Sequence, residues 1–294
     1  MLLPQMLPLW CMGGGLIFAM PQPSVHVVKL FWRHILTTAP TAEPEWTVID
    51  VAIVKIGWSG GKDSTCAVIK HIERGDKVKA VCWIPMLTKE IPLILKDHYK
   101  FIIDTADYFR SLGAEVYFAD GGLTYYEYVT HVSKKGKYKG QIFGFPCINR
   151  GQCGFKRDGK IRACNLCDVG YYDYESIGIA ADETSRHGQL NDQKRSILCE
   201  LNIAEEQATQ FCFERNLLSP HYSYEFGKKN KRDGCALCPH ATEKERELYF
   251  RDYPEAIPIV VELQNIVKEK RPDRTPLRVY KWFIEDESNR TDGE

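Results

Sequence analysis

The sequence lacks net charge, because its 39 Lys and Arg residues equal its 39 Asp and Glu residues over 294 positions. The whole-chain balance therefore gives no indication of an acidic partner. We also find no internal repeat. With 44% hydrophobic and 27% charged residues, the composition is that of a soluble globular chain. The length suits one large domain or two modest ones.

Charged residues are missing altogether from the first 28 positions. Pro4, Pro8 and the three consecutive glycines at positions 13–15 interrupt the apolar run there, so we do not expect a membrane span. Because the segment has no basic residues, it also does not match a secretory signal, and we expect a cytoplasmic protein. Residues 37–45 have the composition of a linker. We predict that residues 1–46 are a poorly ordered extension, with a small partner-binding segment as the alternative.

Cysteine is missing from residues 239–294, although the chain has eleven. Two C-x-x-C pairs contain four of them: Cys164, Cys167, Cys235 and Cys238. This spacing is typical of metal or redox chemistry rather than of a disulfide framework. The two pairs together suit tetrahedral zinc or an iron–sulfur cluster, and unmetallated thiols are the third interpretation. Cys147 and Cys153 are additional candidate ligands.

A glycine-rich turn follows the first apolar run, with Ser59-Gly-Gly-Lys-Asp-Ser64 before a helical pattern. Glycine lets the backbone approach an anion closely, and a helix N-terminus adds unpaired N–H groups and a positive dipole end. Lys62 and the two serine hydroxyls complete a pocket suited to phosphate oxygens. The stretch is not a Walker A loop, because Asp63 follows the lysine and Ile56 stands where a glycine is required.

Strand and helix patterns alternate from residue 51 onward. The predicted strands are Val51–Ile56, Val78–Ile84, Ala114–Ala119 and Glu175–Ala180. The predicted helices are Lys62–Arg74, Leu93–Leu112, Leu123–His131, Ile203–Arg215, Glu243–Arg251 and Ile257–Lys270. This alternation favours an α/β fold with a doubly wound, mainly parallel sheet. Ligands of such folds bind at the carboxyl ends of the strands, where the turn at Ser59 falls.

Residues 133–173 interrupt the alternation as a cysteine-rich, basic insertion. Nine Lys and Arg residues face a single acid, Asp158, between residues 133 and 162. We predict an ordered, cationic segment at the mouth of the site that attracts a nucleic acid or a small phosphate-bearing substrate. A merely solvated charged surface is the alternative.

The turn at Ser59-Gly60-Gly61-x-Asp63-Ser64 resembles the PP-loop, S-G-G-x-D-S, of the ATP pyrophosphatase superfamily. Two further segments are similar to the phosphoadenosine-phosphosulfate (PAPS) reductase family within it. They are Ile177–Arg186, and Leu201–Pro239 with its Tyr222 and its G-C-x-x-C ending. The resemblance implies a nucleotide-binding domain over residues 47–255, which contains the insertion, and a C-terminal helical tail over residues 256–294.

The resemblance implies an ATP–Mg²⁺ enzyme with Lys62 and Asp63 as catalytic residues. The implied nucleotide-binding residues are Ser59, Gly60, Gly61, Lys62, Asp63, Ser64, Asp182, Glu183 and Arg186. Because reductases of the family use a cysteine near the C-terminus, the missing thiol favours adenylation of an acceptor with release of pyrophosphate. A sulfonucleotide reductase-like activity and a metal-stabilised nucleic-acid-binding protein without turnover are the alternatives. The sequence leaves the oligomeric state open.

Overall fold

The computed structural model describes residues 51–120, 122–146, 148–149, 152–223 and 234–273. The predicted extension over residues 1–46, the linker and Cys147 therefore lie outside the described residues. The compact unit that contains the described residues begins at Asp50.

A five-stranded parallel sheet forms the centre of this unit, with the strand order β3-β2-β1-β6-β7. Its strands are β1 (Ile53–Trp58), β2 (Lys77–Cys82), β3 (Glu115–Phe118), β6 (Tyr174–Ile177) and β7 (Lys194–Arg195); the short strands β4 (Ile148–Asn149) and β5 (Gln152–Cys153) pair separately. The order reverses at β1, because β2 and β3 extend to one side and β6 joins on the other. The carboxyl ends of β1 and β6 are therefore neighbours, with Gly57 opposite Ile177.

Helices connect and cover these strands, as the alternation predicts. They are α1 (Lys62–Arg74), α2 (Lys96–Ser111), α3 (Tyr125–Thr130), α4 (Arg162–Leu166), α5 (Ile197–Glu200), α6 (Glu205–Glu214), α7 (Glu243–Asp252) and α8 (Ala256–Lys270). A π-helix over Lys156–Ile161 leads directly into α4. The sequence pattern did not predict this helical segment inside the insertion, because its residues lack an apolar helical period.

One face of the sheet carries the main apolar core. Val54, Ile56 and Trp58 of β1 are buried there with residues of α1, α2 and α6. The Trp58 indole donates a hydrogen bond of 3.0 Å to Thr65 Oγ1 and packs edge-on against Phe109, with 5.0 Å between ring centroids. These contacts join the end of β1 to α1 and α2, so the turn between β1 and α1 is supported on both sides.

The insertion covers part of the other face of the sheet. Lys55 Nζ donates a hydrogen bond of 2.9 Å to the carbonyl of Cys164, and Lys79 Nζ donates one of 2.6 Å to the carbonyl of Val169. Val81 packs against Ala163 and Val169 in a small apolar cluster. Strand lysines thus bond directly to the backbone of the insertion, which places Cys164 and Cys167 against the sheet.

A second apolar cluster lies beyond the ends of the strands and includes α8. Val260, Leu263 and Val267 of α8 are buried in it together with Tyr125 and Phe155. Thr124 and Thr242 begin α3 and α7 with capping boxes, in which Glu127 and Glu245 complete the reciprocal bonds. Such caps stabilise a helix by about 1 kcal/mol each. None of the described helices combines the length and the apolar character that a membrane span requires.

Acid is expected to destabilise this fold through the buried histidine His98. Burial, and to a lesser extent His221, lowers the pKa of His98 from 6.5 to about 3. Below pH 6.5 the unfolded chain binds a proton that folded His98 does not bind. The free energy of unfolding should therefore fall by about 1.4 kcal/mol per pH unit between pH 6.5 and 3.

Urea unfolding at pH 7.5, 6.0 and 5.0 measures this slope. His98→Asn keeps a polar group near Ser219 Oγ, which lies 2.8 Å from His98 Nδ1, but it does not titrate. The variant should show a shallower dependence on pH than the wild type. Parallel slopes would contradict the assignment to His98.

Candidate functional site

The turn between β1 and α1 is closed by its own serine and glycine residues. The Gly61 carbonyl accepts hydrogen bonds of 3.0 Å from both Ser64 Oγ and the Thr65 amide. The Ser59 amide donates a hydrogen bond of 3.2 Å to Ser64 Oγ, and the two serine hydroxyls lie 3.3 Å apart. Gly61 is the residue directly before the first turn of α1. The predicted strand–loop–helix arrangement is therefore confirmed.

Most amides of this turn have no partner among the described residues. The N–H groups of Gly60, Gly61, Asp63 and Ser64 donate no hydrogen bond to a described residue. The Lys62 amide lies 3.4 Å from the Tyr222 hydroxyl. Consecutive unpaired amides at a helix N-terminus form a concave site with a positive potential. The turn can accept the oxygens of an anion.

Two glycines shape the turn by allowing close contacts. Gly60 has a φ of +76°, and a Cβ there would lie 2.8 Å from His98 Cε1 and Ile102 Cγ1. Gly178, one residue beyond β6, is packed still more closely, because a Cβ there would lie 2.6 Å from the Ser64 amide nitrogen. The backbone beyond β6 thus supports the first turn of α1 from the adjacent strand.

Lys62 holds the one buried ammonium group of the turn. Its Nζ lies 2.8 Å from Glu205 Oε1 and 3.0 Å from Asp63 Oδ2, and 10% of its side chain is exposed. Burial would lower the pKa of Lys62, but the hydrogen bond to Glu205 and the charge of Asp63 outweigh it and raise that pKa. Lys62 is therefore charged at neutral pH.

Asp63 lies beside this lysine, in surroundings that disfavour its ionised form. Burial raises its pKa first, and the charges of Glu183 and Glu205 raise it further, against the opposing effect of Lys62. Two carboxylates, those of Asp63 and Glu205, thus share the ammonium group of Lys62, and the charge of Glu183 also acts on Asp63. An additional cation at Asp63 would be favourable there.

The three predicted residues after β6 take different positions. Glu183 lies within electrostatic reach of Asp63, accepts a hydrogen bond of 3.2 Å from the Ala180 amide and pairs with Arg186 Nη1 at 2.8 Å. Asp182 Oδ1 accepts a hydrogen bond of 2.9 Å from the Glu205 amide at the start of α6. Of the three, Glu183 is the one whose charge acts on the turn, whereas Asp182 helps to position Glu205.

Two contacts at the turn were not predicted from the sequence. Glu205 pairs with Lys62 from the first turn of α6, and Cys212 Sγ lies 3.3 Å from the Lys62 carbonyl oxygen. Neither residue belongs to a recognisable motif. A glutamate at the start of a helix is common for reasons of the helix dipole alone, so no signal in the sequence distinguished it.

The two C-x-x-C pairs pack in different surroundings. Cys164 and Cys167 border the small cluster of Val81 and Ala163, whereas Cys235 lies with Cys153 in the second cluster. Within the described ranges, no group of three or more His, Cys, Asp or Glu side chains is placed to hold a metal ion. Cys147 lies outside those ranges. The Cys₄ site for zinc or an iron–sulfur cluster stays a prediction.

A Ser-His-Asp arrangement elsewhere in the fold is structural. His71 Nδ1 lies 2.7 Å from Asp76 Oδ2, and His71 Nε2 lies 2.9 Å from Ser176 Oγ. These are the contacts of a catalytic triad, but His71 and Ser176 are both fully buried. With no access for a substrate, the network joins α1 to β6.

Comparisons of the whole chain with models of known protein families and with curated proteins find no match.

Proposed function

We propose that the chain is an ATP-binding enzyme that adenylates an acceptor and releases pyrophosphate. We place it in the PP-loop ATP pyrophosphatase superfamily, closest to the PAPS reductase family, with the doubly wound sheet of that group. The observation that carries the proposal is that the amides of Gly60, Gly61, Asp63 and Ser64 have no partner among the described residues and lie beside a buried, charged Lys62. The reversal of strand order at β1 supports it, because ligands of open α/β sheets bind at such a reversal.

In the proposed reaction, the turn binds the β- and γ-phosphates of ATP, which leave as pyrophosphate. The amides of Gly60, Gly61, Asp63 and Ser64 donate to the β- and γ-phosphate oxygens, together with the Ser59 and Ser64 hydroxyls. Lys62 exchanges part of its pairing with Glu205 and Asp63 for the same oxygens. Because negative charge builds up on the departing pyrophosphate, these preplaced donors stabilise the transition state more than the ground state.

Asp63 is the residue that would hold Mg²⁺, with Glu183 as the nearest helper. Its carboxylate is partly exposed and has a raised pKa, so a divalent cation would stabilise its ionised form. When bound with ATP, Mg²⁺ neutralises phosphate charge and orients the phosphates for in-line displacement.

The exposed lysines of the insertion favour the binding of a phosphate-bearing partner. Lys134, Lys135, Lys137 and Lys139 are all exposed on the segment after α3. Clustered surface lysines attract polyanions in a salt-dependent manner. A nucleic acid is therefore the second candidate for the partner, either as the acceptor or as the ligand of a protein without turnover.

Asp63→Asn tests the proposal, because it removes the charge and keeps the shape. We expect ATP–pyrophosphate exchange to fall by roughly 100-fold and its dependence on Mg²⁺ concentration to shift upward. Asp104→Asn is the matched control, since Asp104 forms an exposed i,i+4 pair with Lys100 on α2. Wild-type protein that binds nucleic acid but shows no ATP binding and no exchange would refute the proposal.

A further inference from the structure

A cavity of about 410 Å³ opens beside the turn, and Ser59 forms part of its lining. Small-molecule sites in proteins have volumes of roughly 300–1,000 Å³. The residues Asp182, Glu183 and Arg186 do not line it. The cavity therefore adjoins the proposed phosphate site from the side of β2 and the insertion rather than from the side of β6.

Aromatic residues line the cavity on the side of Lys156 and Lys160. Trp83 and Phe155 line it with 5.5 Å between ring centroids, and Tyr125 contacts Phe155 edge-on at 5.1 Å. A Cβ on Gly159 would lie 2.7 Å from Trp83 Cζ2. The π-helix thus packs directly on the indole ring, and this contact fixes the position of its lysines. π-helical turns often occur at functional sites.

Two lysines lie in the described lining, together with one glutamate and the thiols of Cys153, Cys235 and Cys238. Burial, followed by the charge of Lys156, lowers the pKa of Lys160. Lys156 and Lys160 both line the cavity, and neither makes a hydrogen bond or an ion pair with a described residue. The carboxylate of Glu245 also lines it, but its Oε2 accepts from the Thr242 amide and hydroxyl, and its Oε1 lies 3.8 Å from His221 Nε2. Two lysines are thus available to an anion, while the acid is engaged in the cap of α7.

A buried hydroxyl adds to this arrangement. Tyr125 is 1% exposed, and its hydroxyl has no hydrogen-bond partner in the part of the chain that the structure describes. A buried hydroxyl of this kind is a donor without an acceptor, which is costly unless a ligand supplies one.

We infer that this cavity binds the acceptor, and that the acceptor is a small molecule with an oxyanion, such as a carboxylate, phosphate or sulfonate, held by Lys160 and Lys156. The inference rests on the proposed function. An anionic acceptor is repelled by the polyphosphate of ATP, and the two lysines offset that repulsion. In the reaction, the acceptor oxygen bonds to the α-phosphorus as the bond to the α,β-bridging oxygen breaks. The electron pair of that bond leaves with pyrophosphate. An attacking oxyanion oxygen has no proton to release, whereas an attacking hydroxyl oxygen of the acceptor loses its proton to solvent.

Binding of inorganic sulfate to the full chain tests the inference, with the turn saturated by α,β-methylene-ATP. Titration calorimetry of the wild type should show sulfate binding that Lys160→Ala weakens at least tenfold. Lys160→Gln and Lys156→Ala should weaken it as well, which guards against a folding defect in one variant. Lys89→Ala is the matched control, because Lys89 is an exposed lysine that does not line the cavity. Its sulfate affinity and the affinity of every variant for the ATP analogue should equal those of the wild type.

Three results would count against the inference, and they differ from one another. Equal sulfate affinity in the wild type and all three cavity variants would overturn it. Displacement of sulfate by the ATP analogue would overturn it too, because the cavity would then belong to the nucleotide. The third result is sulfate binding that depends on Lys160 in a protein that does not bind the ATP analogue. It would refute the adenylating function and the acceptor role together, and the cavity would then be an anion site without that role.

Discussion

Lys62→Ala is expected to slow ATP–pyrophosphate exchange by roughly 10²–10³-fold, the range for loss of one preplaced donor at a developing negative charge. The ammonium group is buried, charged and held at 2.8–3.0 Å from Glu205 and Asp63 at the mouth of the turn. Because its role is greater in the transition state, the exchange rate should fall more than the affinity for ATP. Lys62→Arg should recover little, since a planar guanidinium does not fit a pocket shaped for a compact ammonium.

Lys70→Ala provides the matched control for this variant. Lys70 lies on the same helix, and its Nζ pairs with Glu73 at 2.7 Å on the outer side. Exchange by this protein should equal that of the wild type. Removal of Lys62 leaves Asp63 and Glu205 without their cation, so the thermal midpoint of each variant must be measured alongside. Unchanged exchange and unchanged ATP binding in folded Lys62→Ala would remove the proposed function.

Gly178→Ala is expected to damage both the fold and the nucleotide site. The added Cβ would lie 2.6 Å from the Ser64 amide nitrogen and 2.8 Å from the Asp63 carbonyl carbon. These are backbone atoms, so a side-chain rotation cannot relieve the contact. Overpacking of this kind costs about 1–3 kcal/mol. Since the displaced atoms belong to the proposed phosphate site, ATP affinity should also fall at least tenfold.

Gly57→Ala separates this effect from a general intolerance of alanine in the sheet. Gly57 is opposite Ile177 in the register of β1 and β6, and a Cβ there would have no atom within 4 Å. The free energy of unfolding of Gly57→Ala should stay within about 0.5 kcal/mol of the wild type or rise slightly, because alanine loses less conformational entropy than glycine when a strand forms. Urea unfolding and ATP titration of the two variants measure both predictions. Equal behaviour of the two would contradict the close packing at Gly178.

The main elements were predictable because their signals are local. Helix α1 begins and ends where its glycines and its apolar period place it, over Lys62–Arg74. The π-helix over Lys156–Ile161 was not predictable, because a basic, glycine-containing segment lacks a helical period and is held by packing of Gly159 on Trp83. The predicted strand Glu175–Ala180 ends at Ile177, because it pairs with β7 no further than Ser176 and with β1 no further than Ile177.

The alternation of strand and helix patterns was enough to predict the parallel α/β architecture, and the stretch from Ser59 to Ser64 was enough to predict the turn, because both depend on residues close together in the chain. Only the tertiary structure brought Glu205 to Lys62, Gly178 to Ser64, and the lysines of the insertion to a cavity beside Ser59. Each of these contacts joins residues that are far apart in the sequence. Their partners are selected by the order of the strands and the packing of the sheet, which no local pattern of residues encodes.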